Sequence, residues 1–344
     1  MKIGIINDTH FGVRNDSSFF LENFLSFFEN VFFPYIKQND IKTVFHLGDL
    51  MDRRKYVNIH TLNQVKKRFI EPLVEMNVDF HMVIGNHDMY FRNTNSVNSA
   101  KELFSDYDNF NLHEEPYTFE SNGLCIGLVP WICSENEDKI LDYIENCACP
   151  ILAGHFELSG YQVLSGLNFK GGMSDSSLKR FEMVLSGHFH IRSQKNNVHY
   201  LGTQYDMTFA DSGTLKGFSV LDTETRELDF IENSDSIFHT LNTENIEDCV
   251  DYSKFNNKYI KLIVDKNTPK SKVDSIVKNI DKNSPHELSV IEDFTLNEDI
   301  NEKVDLSKDT ITIINEEIDS LEGEVDKFKL KTIMRDIYLE ALNS

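Results

Sequence analysis

Five short stretches constrain this chain more than any other feature. Each follows an apolar run of β character. They are Asp8-Thr9-His10, Gly48-Asp49-Leu50-Met51-Asp52, Gly85-Asn86-His87-Asp88, Gly154-His155 and Gly187-His188-Phe189-His190. The runs ahead of them read KIGIIN, TVFHL, FHMVI, PILA and EMVLS. Buried strands that stop at a glycine or a polar turn bring their ends to one edge of a sheet, where α/β folds bind ligands. Residues remote in sequence then meet in one cleft, and these are oxygen and imidazole donors.

The pattern around the motifs sets the fold class. Residues 1–110 alternate strand and helix: a strand at Lys2–Asn7, a helix at 17–38 that Pro34 kinks or ends, a strand at Thr43–Leu47, a helix at 58–76 and a strand at Val78–Ile84. This rhythm implies a parallel sheet with helices on its faces. Up to residue 232 the chain is richer in strands, at Leu124–Val129, Ile151–Ala153, Met183–Leu185 and Val198–Leu201. A hairpin closes it, Gly217–Leu221 with Glu227–Ile231. The expectation is an α/β protein, a two-sheet β-sandwich flanked by helices, over residues 1–232. Residues 233–253 are polar and acidic and read as a linker. Residues 254–300 read as a small strand-helix-strand module. From 301 to 344 the chain reads as a helical tail, with Ile311, Ile314, Ile318 and Leu321, then Leu330, Ile333, Met334, Ile337, Tyr338 and Ala341, at helical spacing. Gly323 separates the two helices.

Bulk properties exclude some classes. The 344 residues are 40% hydrophobic with 26 Phe, enough for a packed core. No apolar run reaches membrane-spanning length, and no cleavable leader is visible. The Phe-rich segment 17–38 reads as a buried amphipathic helix, with an interface helix as the other reading. Five cysteines without framework spacing point to a reducing compartment. Cys147-x-Cys149 is too tight for a zinc knuckle. The net charge of −22 argues against nonspecific binding of polyanions by the whole surface. It leaves room for a local basic strip, and Arg53, Arg54, Lys55, Arg92, Arg192 and Lys195 all follow the motifs directly.

Spacing narrows the chemistry. Asp8 and His10 lie two apart, as do His188 and His190. On a strand such pairs share a face, roughly 6.5–7 Å apart. One pair can converge on one ion or straddle two. Asp49, on the central strand, is the best candidate for a carboxylate that bridges two ions. Ions held roughly 3.5–4 Å apart suit hydrolysis at phosphorus. Carboxylate, amide oxygen and neutral imidazole together suit manganese, iron or zinc better than calcium.

The ordered set resembles the calcineurin-like metallophosphoesterases, over residues 1–232. The resemblance implies that one ion is held by Asp8, His10, Asp49 and His190, and the other by Asp49, Asn86, His155 and His188. It implies that His87 protonates the leaving oxygen or stabilises the pentacoordinate phosphorus, that Asp88 orients the His87 ring, and that Asp52 steadies a ligand or the local loop. Within that superfamily the chain looks most like the SbcD-type nucleases of the SbcCD and MRN complexes and their phage counterparts. The features are IINDTHFG at the start, Tyr200-Leu201-Gly202-Thr203 and Lys216-Gly217-Phe218 after the last motif, and the three-part layout.

What that resemblance implies is a two-metal DNA exonuclease, also an endonuclease, acting in recombination, repair and replication. The ions are two divalent cations, Mn2+ first, with Mg2+, Fe2+ or Zn2+ in its place. The implied partners are DNA and an SMC-like coiled-coil ATPase clasped by the tail helices, while the small module caps the DNA cleft. A homodimer through the nuclease domain is a further expectation, as is a cytoplasmic location in a bacterial cell or phage-infected host. Arg53, Arg54, Arg92 and Arg192 are the expected substrate contacts. The competing readings are a small-molecule phosphodiesterase or phosphoprotein phosphatase with the same ligands, and a non-catalytic scaffold. His46, His81 and Trp131 read as core or edge residues, and Tyr90 and Phe91 as packing that can also stack on a base.

Overall fold

The computed structural model describes residues 1–121, 123–164, 166–246 and 250–292, and in the tail Ile318, Lys327, Lys331 and Met334. The chain opens with β1 (Lys2–Ile6), helix α1 (Ser18–Phe27), a π-helical turn at Phe28–Phe32 and α2 (Phe33–Gln38). Then come β2 (Thr43–His46), α3 (Ile59–Val65), a second π turn at Lys66–Ile70, α4 (Glu71–Glu75), β3 (Asp79–Val83), α5 (Ser99–Phe104) and β4 (Phe110–His113). Pro34 does not end its helix. The N–H of Phe33 bonds the carbonyl of Phe28, five residues back, and Glu71 bonds Lys66 the same way ahead of Pro72. A turn widened in this way makes room for the proline ring where the regular helix would clash.

The second half supplies β5 (Tyr117–Ser121), β6 (Leu124–Val129), α6 (Glu137–Asn146), β7 (Ile151–Gly154), β8 (Gln162–Leu164), β9 (Leu167–Asn168) and β10 (Met183–Ser186). It ends with β11 (Ser193–Lys195), β12 (Val198–Tyr200), β13 (Gly217–Asp222) and β14 (Leu228–Glu232). The expected two-sheet architecture forms. One sheet runs β14-β13-β1-β2-β3-β4 and the other β11-β12-β10-β7-β6-β5. In the first, β1, β2 and β3 are parallel, with Ile6, His46 and Met82 in register. In the second, β6, β7 and β10 are parallel. The His155 Nδ1 donates to the Leu47 carbonyl at 2.7 Å, so the carboxyl ends of the two parallel sets meet at one edge.

Alternation along the strands builds the layers. Ile3, Ile5, Phe45 and Val83 face Ile126, Leu128, Ile151 and Leu185 across the sandwich. Ile6, Val44, Phe80 and Met82 face the helices, where Phe24, Phe28, Phe32 and Phe69 pack. Each buried phenylalanine is worth about 1.5–3 kcal/mol. Phe24 stacks on Tyr205 with ring centroids 3.6 Å apart. The phenylalanines that prompted the expectation of a homodimer are therefore mostly core residues, and they carry no argument for self-association.

A three-stranded parallel sheet follows: β15 (Phe238–Asn242), β16 (Tyr259–Val264) and β17 (Glu287–Glu292), with α7 (Lys270–Asp281) between the last two. Phe255, Ile260, Leu262, Ile276 and Ile280 form its core. The segment 233–253 was expected to be a linker, but it contains β15. A five-residue edge strand with one buried side chain leaves little periodicity to detect. Phe294–Ser344 forms a second unit. Its four described residues are helical. The other residues that suggested the tail helices, Gly323 among them, lie outside the described residues, as does Cys249.

Candidate metal centre

Asp8 and His10 do not use strand alternation, because β1 ends at Ile6. Both sit in the left-handed region, at φ 49° and 43°, as do Asp49 at 60° and His188 at 83°. Such backbone costs roughly 1–3 kcal/mol per residue and persists only where its surroundings hold it. Here the hold is a ladder between two loops: Asp8 N–H to the Gly48 carbonyl, 2.9 Å; His10 N–H to the Asp49 carbonyl, 3.1 Å; Phe11 N–H to the Leu50 carbonyl, 3.0 Å. Gly85 completes the packing. A Cβ there would fall 2.2 Å from Asp49 Oδ1, so only glycine lets the loop pass.

Among the described residues three overlapping donor groups result: Asp8–His10–His190, Asp49–His155–His188 and, between them, His10–Asp49–His87. In the first, His10 Nε2 lies 3.2 Å from His190 Nε2, 3.8 Å from Asp8 Oδ1 and 3.7 Å from Asp49 Oδ2. In the second, Asp49 Oδ2 lies 3.4 Å from His155 Nε2. The Asn86 oxygen lies 2.9 Å from that same nitrogen and 3.0 Å from His188 Nδ1. Asp49 thus belongs to both clusters, Asp8 and His10 converge on one, and His188 and His190 straddle the pair.

The electrostatics fit cations. Burial disfavours charge on His10, but the Asp52 carboxylate facing its Nδ1 and the Asp49 and Asp8 carboxylates raise it to about 9. Burial likewise opposes charge on His155, yet Asp49 raises it to about 9. His190, buried against His10, is pushed down to about 4. Against its own burial, Asp49 is held well below the usual carboxylate range by His155, His87 and His10. Protons on His10 and His155 therefore stand where positive charge is wanted. Divalent cations would take their place, with imidazole lone pairs and carboxylates as ligands.

His87 and its neighbours are arranged differently from the expectation. The His87 ring packs edge-on to His10, centroids 4.8 Å apart, and its Nδ1 donates to the Asp52 carbonyl at 2.6 Å. Asp88 does not orient this ring. Fully buried, it accepts from the N–H groups of Gly85 at 2.9 Å, Asp49 at 2.8 Å and Leu50 at 3.0 Å, locking two ligand loops together. Burial, then the Asp49 charge, push its pKa up against those bonds. The Asp52 carboxylate lies 3.3 Å from His10 Nδ1.

The model of the calcineurin-like phosphoesterase family matches residues 1–192. The chain belongs to this family. It is a hydrolase acting on phosphoester bonds, and the calcineurin-like phosphoesterases use a dinuclear metal site, which the clusters above fit. It is also 30% identical over 350 residues to exonuclease subunit 1 of Enterobacteria phage T4, covering 99% of each chain. Among solved structures, similarity extends to an archaeal phosphodiesterase, with TM-score 0.33 and 17% identity over 68% of this chain and 100% of that one. It extends also to nuclease MPE of Pseudomonas putida, with TM-score 0.31 and 16% identity over 57% and 66%.

The four arginines expected to contact substrate divide in this phosphoesterase. Arg54 lies in the field of Asp49, Asp88 and Arg92, so two of the four stand beside the second and third motifs. Arg53 is held at a left-handed turn by Asn15 Oδ1, 2.5 Å, and Asp16 Oδ2, 3.4 Å. Arg192 donates to the Ser219 hydroxyl, 3.2 Å, and lies 4.2 Å from the centroid of the Phe230 ring. It braces the sheet and is not brought to the donors. Other residues support the calcineurin-like site without having been singled out. Asn7 Nδ2 donates to Asp8 Oδ2, 2.6 Å, and to the Gly202 carbonyl, 2.9 Å. The buried Lys216 ammonium donates to the His190 carbonyl, 3.0 Å, Thr203, 2.8 Å, and Asp211, 2.7 Å. Trp131, read as core, is half-buried with its ring 5.0 Å from His188 and 5.7 Å from His155. Asn7, Thr203 and Lys216 each lie in a quoted motif, IINDTHFG, Tyr200-Leu201-Gly202-Thr203 and Lys216-Gly217-Phe218, but nothing in those motifs says which group each would hold.

Proposed function

We propose that this phosphoesterase is a DNA nuclease, an exonuclease with endonuclease activity, and the nuclease subunit of an ATPase–nuclease complex in recombination, repair and replication. The observation that carries the reaction is Asp49, whose carboxylate reaches both donor clusters. The preference for DNA is supported by the rim. Tyr56, Ile59, Tyr90 and Phe91 are exposed at 73%, 83%, 41% and 47% beside Arg54, Lys55 and Arg92. The Lys55 ammonium lies 5.8 Å from the centroid of the Tyr90 ring. Basic and aromatic side chains side by side suit phosphates and bases, and here they stand on a chain of net charge −22.

In this reading the cations are Mn2+. Bound there, such cations would supply a water-derived nucleophile at neutral pH and offset phosphate charge. Asp49 would serve both positions, with Asp8, His10 and His190 holding one and Asn86, His155 and His188 the other. His87, anchored through Nδ1, transfers the proton to the leaving oxygen. Arg54 and Arg92 contact the flanking phosphates. Residues 301–344 bind a coiled-coil ATPase that supplies much of the DNA affinity, and the module at 254–300 caps the cleft. A homodimer and a cytoplasmic site of action complete the proposal.

The test compares three substrates with Mn2+: linear duplex DNA, bis-p-nitrophenyl phosphate and a phosphopeptide. Cleavage of DNA and of the diester well above the peptide supports the reading. Preference for the peptide monoester would make the protein a phosphatase.

A further inference from the structure

His188 turns its Nδ1 toward the Asn86 oxygen, 3.0 Å away, and so toward the cluster. Its other nitrogen, Nε2, lies 3.4 Å from Glu157 Oε1. An ionised carboxylate only accepts. The Asn86 oxygen also only accepts, so the two contacts compete for one hydrogen; with a cation between Nδ1 and Asn86 Oδ1, that hydrogen would stand on Nε2, against Glu157. Trp131 packs against the same ring from the side.

Glu157 is itself placed from several directions. Phe156 N–H donates to Ser186 Oγ at 3.0 Å, and Leu158 N–H donates to the Tyr200 hydroxyl at 3.1 Å. That hydroxyl in turn donates to the Phe156 carbonyl at 2.9 Å. The Glu157 carbonyl accepts from Met173 N–H at 3.0 Å. Beside it, Gly172 has φ +76°, and a Cβ there would fall 2.2 Å from the Glu157 oxygen. The backbone on both sides of Glu157 is pinned, while its side chain reaches the rim of a cavity of about 240 Å³ walled by Trp131, Leu141 and Met173.

We propose that Glu157 is a positioning residue that sets the tautomer and tilt of His188, and through them the cation affinity of the Asp49–Asn86–His155–His188 position alone. The inference rests on the reading that the two clusters hold cations. Carboxylates behind ligating histidines typically change metal affinity about 10–100-fold. No contact of Glu157 with a donor of the other position is among those described, and that position has supports of its own in Asp52, Asn7 and Lys216.

The experiment is Mn2+ titration of the full-length chain by calorimetry, with electron paramagnetic resonance counting bound ions. In a His190→Ala background, where the Asn86 position remains, Glu157→Ala should weaken Mn2+ about 10–100-fold. Glu157→Gln, whose amide oxygen still accepts from Nε2, should stay within a few-fold of the parent. Gly172→Ala should weaken the same ion. In a His155→Ala background, Glu157→Ala should change nothing. Equal losses in both backgrounds, or no loss in the first, would overturn the proposal while leaving the two-cation reading intact. If the wild-type chain itself binds no Mn2+, that underlying reading fails, and the role of Glu157 with it.

Discussion

His87 donates its Nδ1 hydrogen to the backbone carbonyl of Asp52, across 2.6 Å. A carbonyl fixes a ring but takes no proton from it. The exchangeable position is therefore Nε2, and it is oriented by a loop 35 residues away in sequence rather than by the neighbouring Asp88. His87→Gln should keep both ions and lose turnover by about 10²–10⁴-fold. Metal content by mass spectrometry alongside kcat checks this. Activity near wild type would remove His87 from proton transfer.

Asp49 is shared, so its loss should not be confined to one position. Asp49→Ala should empty both, whereas Asp8→Ala should empty one. Stoichiometry on Mn2+ titration separates these outcomes. A variant at position 49 that still binds two ions would show that the clusters are independent.

Chelation should lower thermal stability as well as abolish hydrolysis. An ion present at 100 times its Kd stabilises the folded state by about 2.7 kcal/mol. For a domain of this size that corresponds to roughly 5–10 °C in Tm. EDTA should produce a drop of this order, and added Mn2+ should reverse it. An unchanged Tm would mean that no ion had been held.

The arginines make opposite predictions. Arg54→Ala should weaken DNA binding and flatten its salt dependence while leaving Tm nearly unchanged. Arg192→Ala should lower Tm and leave DNA affinity alone, because its contacts are Ser219 and Phe230. Fluorescence anisotropy on short DNA and a melting curve for each variant decide between them.

At the far end of the sandwich, His81 Nδ1 and His113 Nε2 lie 3.0 Å apart, and His113 stacks on Tyr117. Burial, then the neighbouring His81, pushes His113 down to about 4, and burial lowers His81 too. Unfolded histidine titrates near about 6.5. Between that pH and about 4 the unfolded chain binds protons that the folded pair refuses, so this pair costs stability as pH falls. His113→Phe should therefore lose less Tm between pH 7 and pH 5 than wild type does. Equal losses would acquit the pair.

Much of the site was legible because strand ends are local features. An apolar run that stops at a glycine says where a donor will stand, and this located Asp49, Asn86, His155 and His188 without any long-range information. The same reasoning placed Asp8 and His10 on one face for a mistaken reason. They fall in one donor group because left-handed backbone beyond β1 turns both inward, and a strand period does not describe such backbone. Strand β15 escaped because an edge strand needs only one buried side chain.

The amino-acid order by itself determined which chemical groups this protein would offer and that five strand ends would deliver them to one edge, since alternation and turn residues act over a few positions. Tertiary structure decided what each group does once delivered. Asp88 clamps backbone, Asp52 holds a histidine, Arg192 braces a sheet and Glu157 stands behind His188. Those assignments depend on hydrogen bonds between loops that only folding brings within about 3 Å, and no local pattern encodes which acceptor a buried donor will meet.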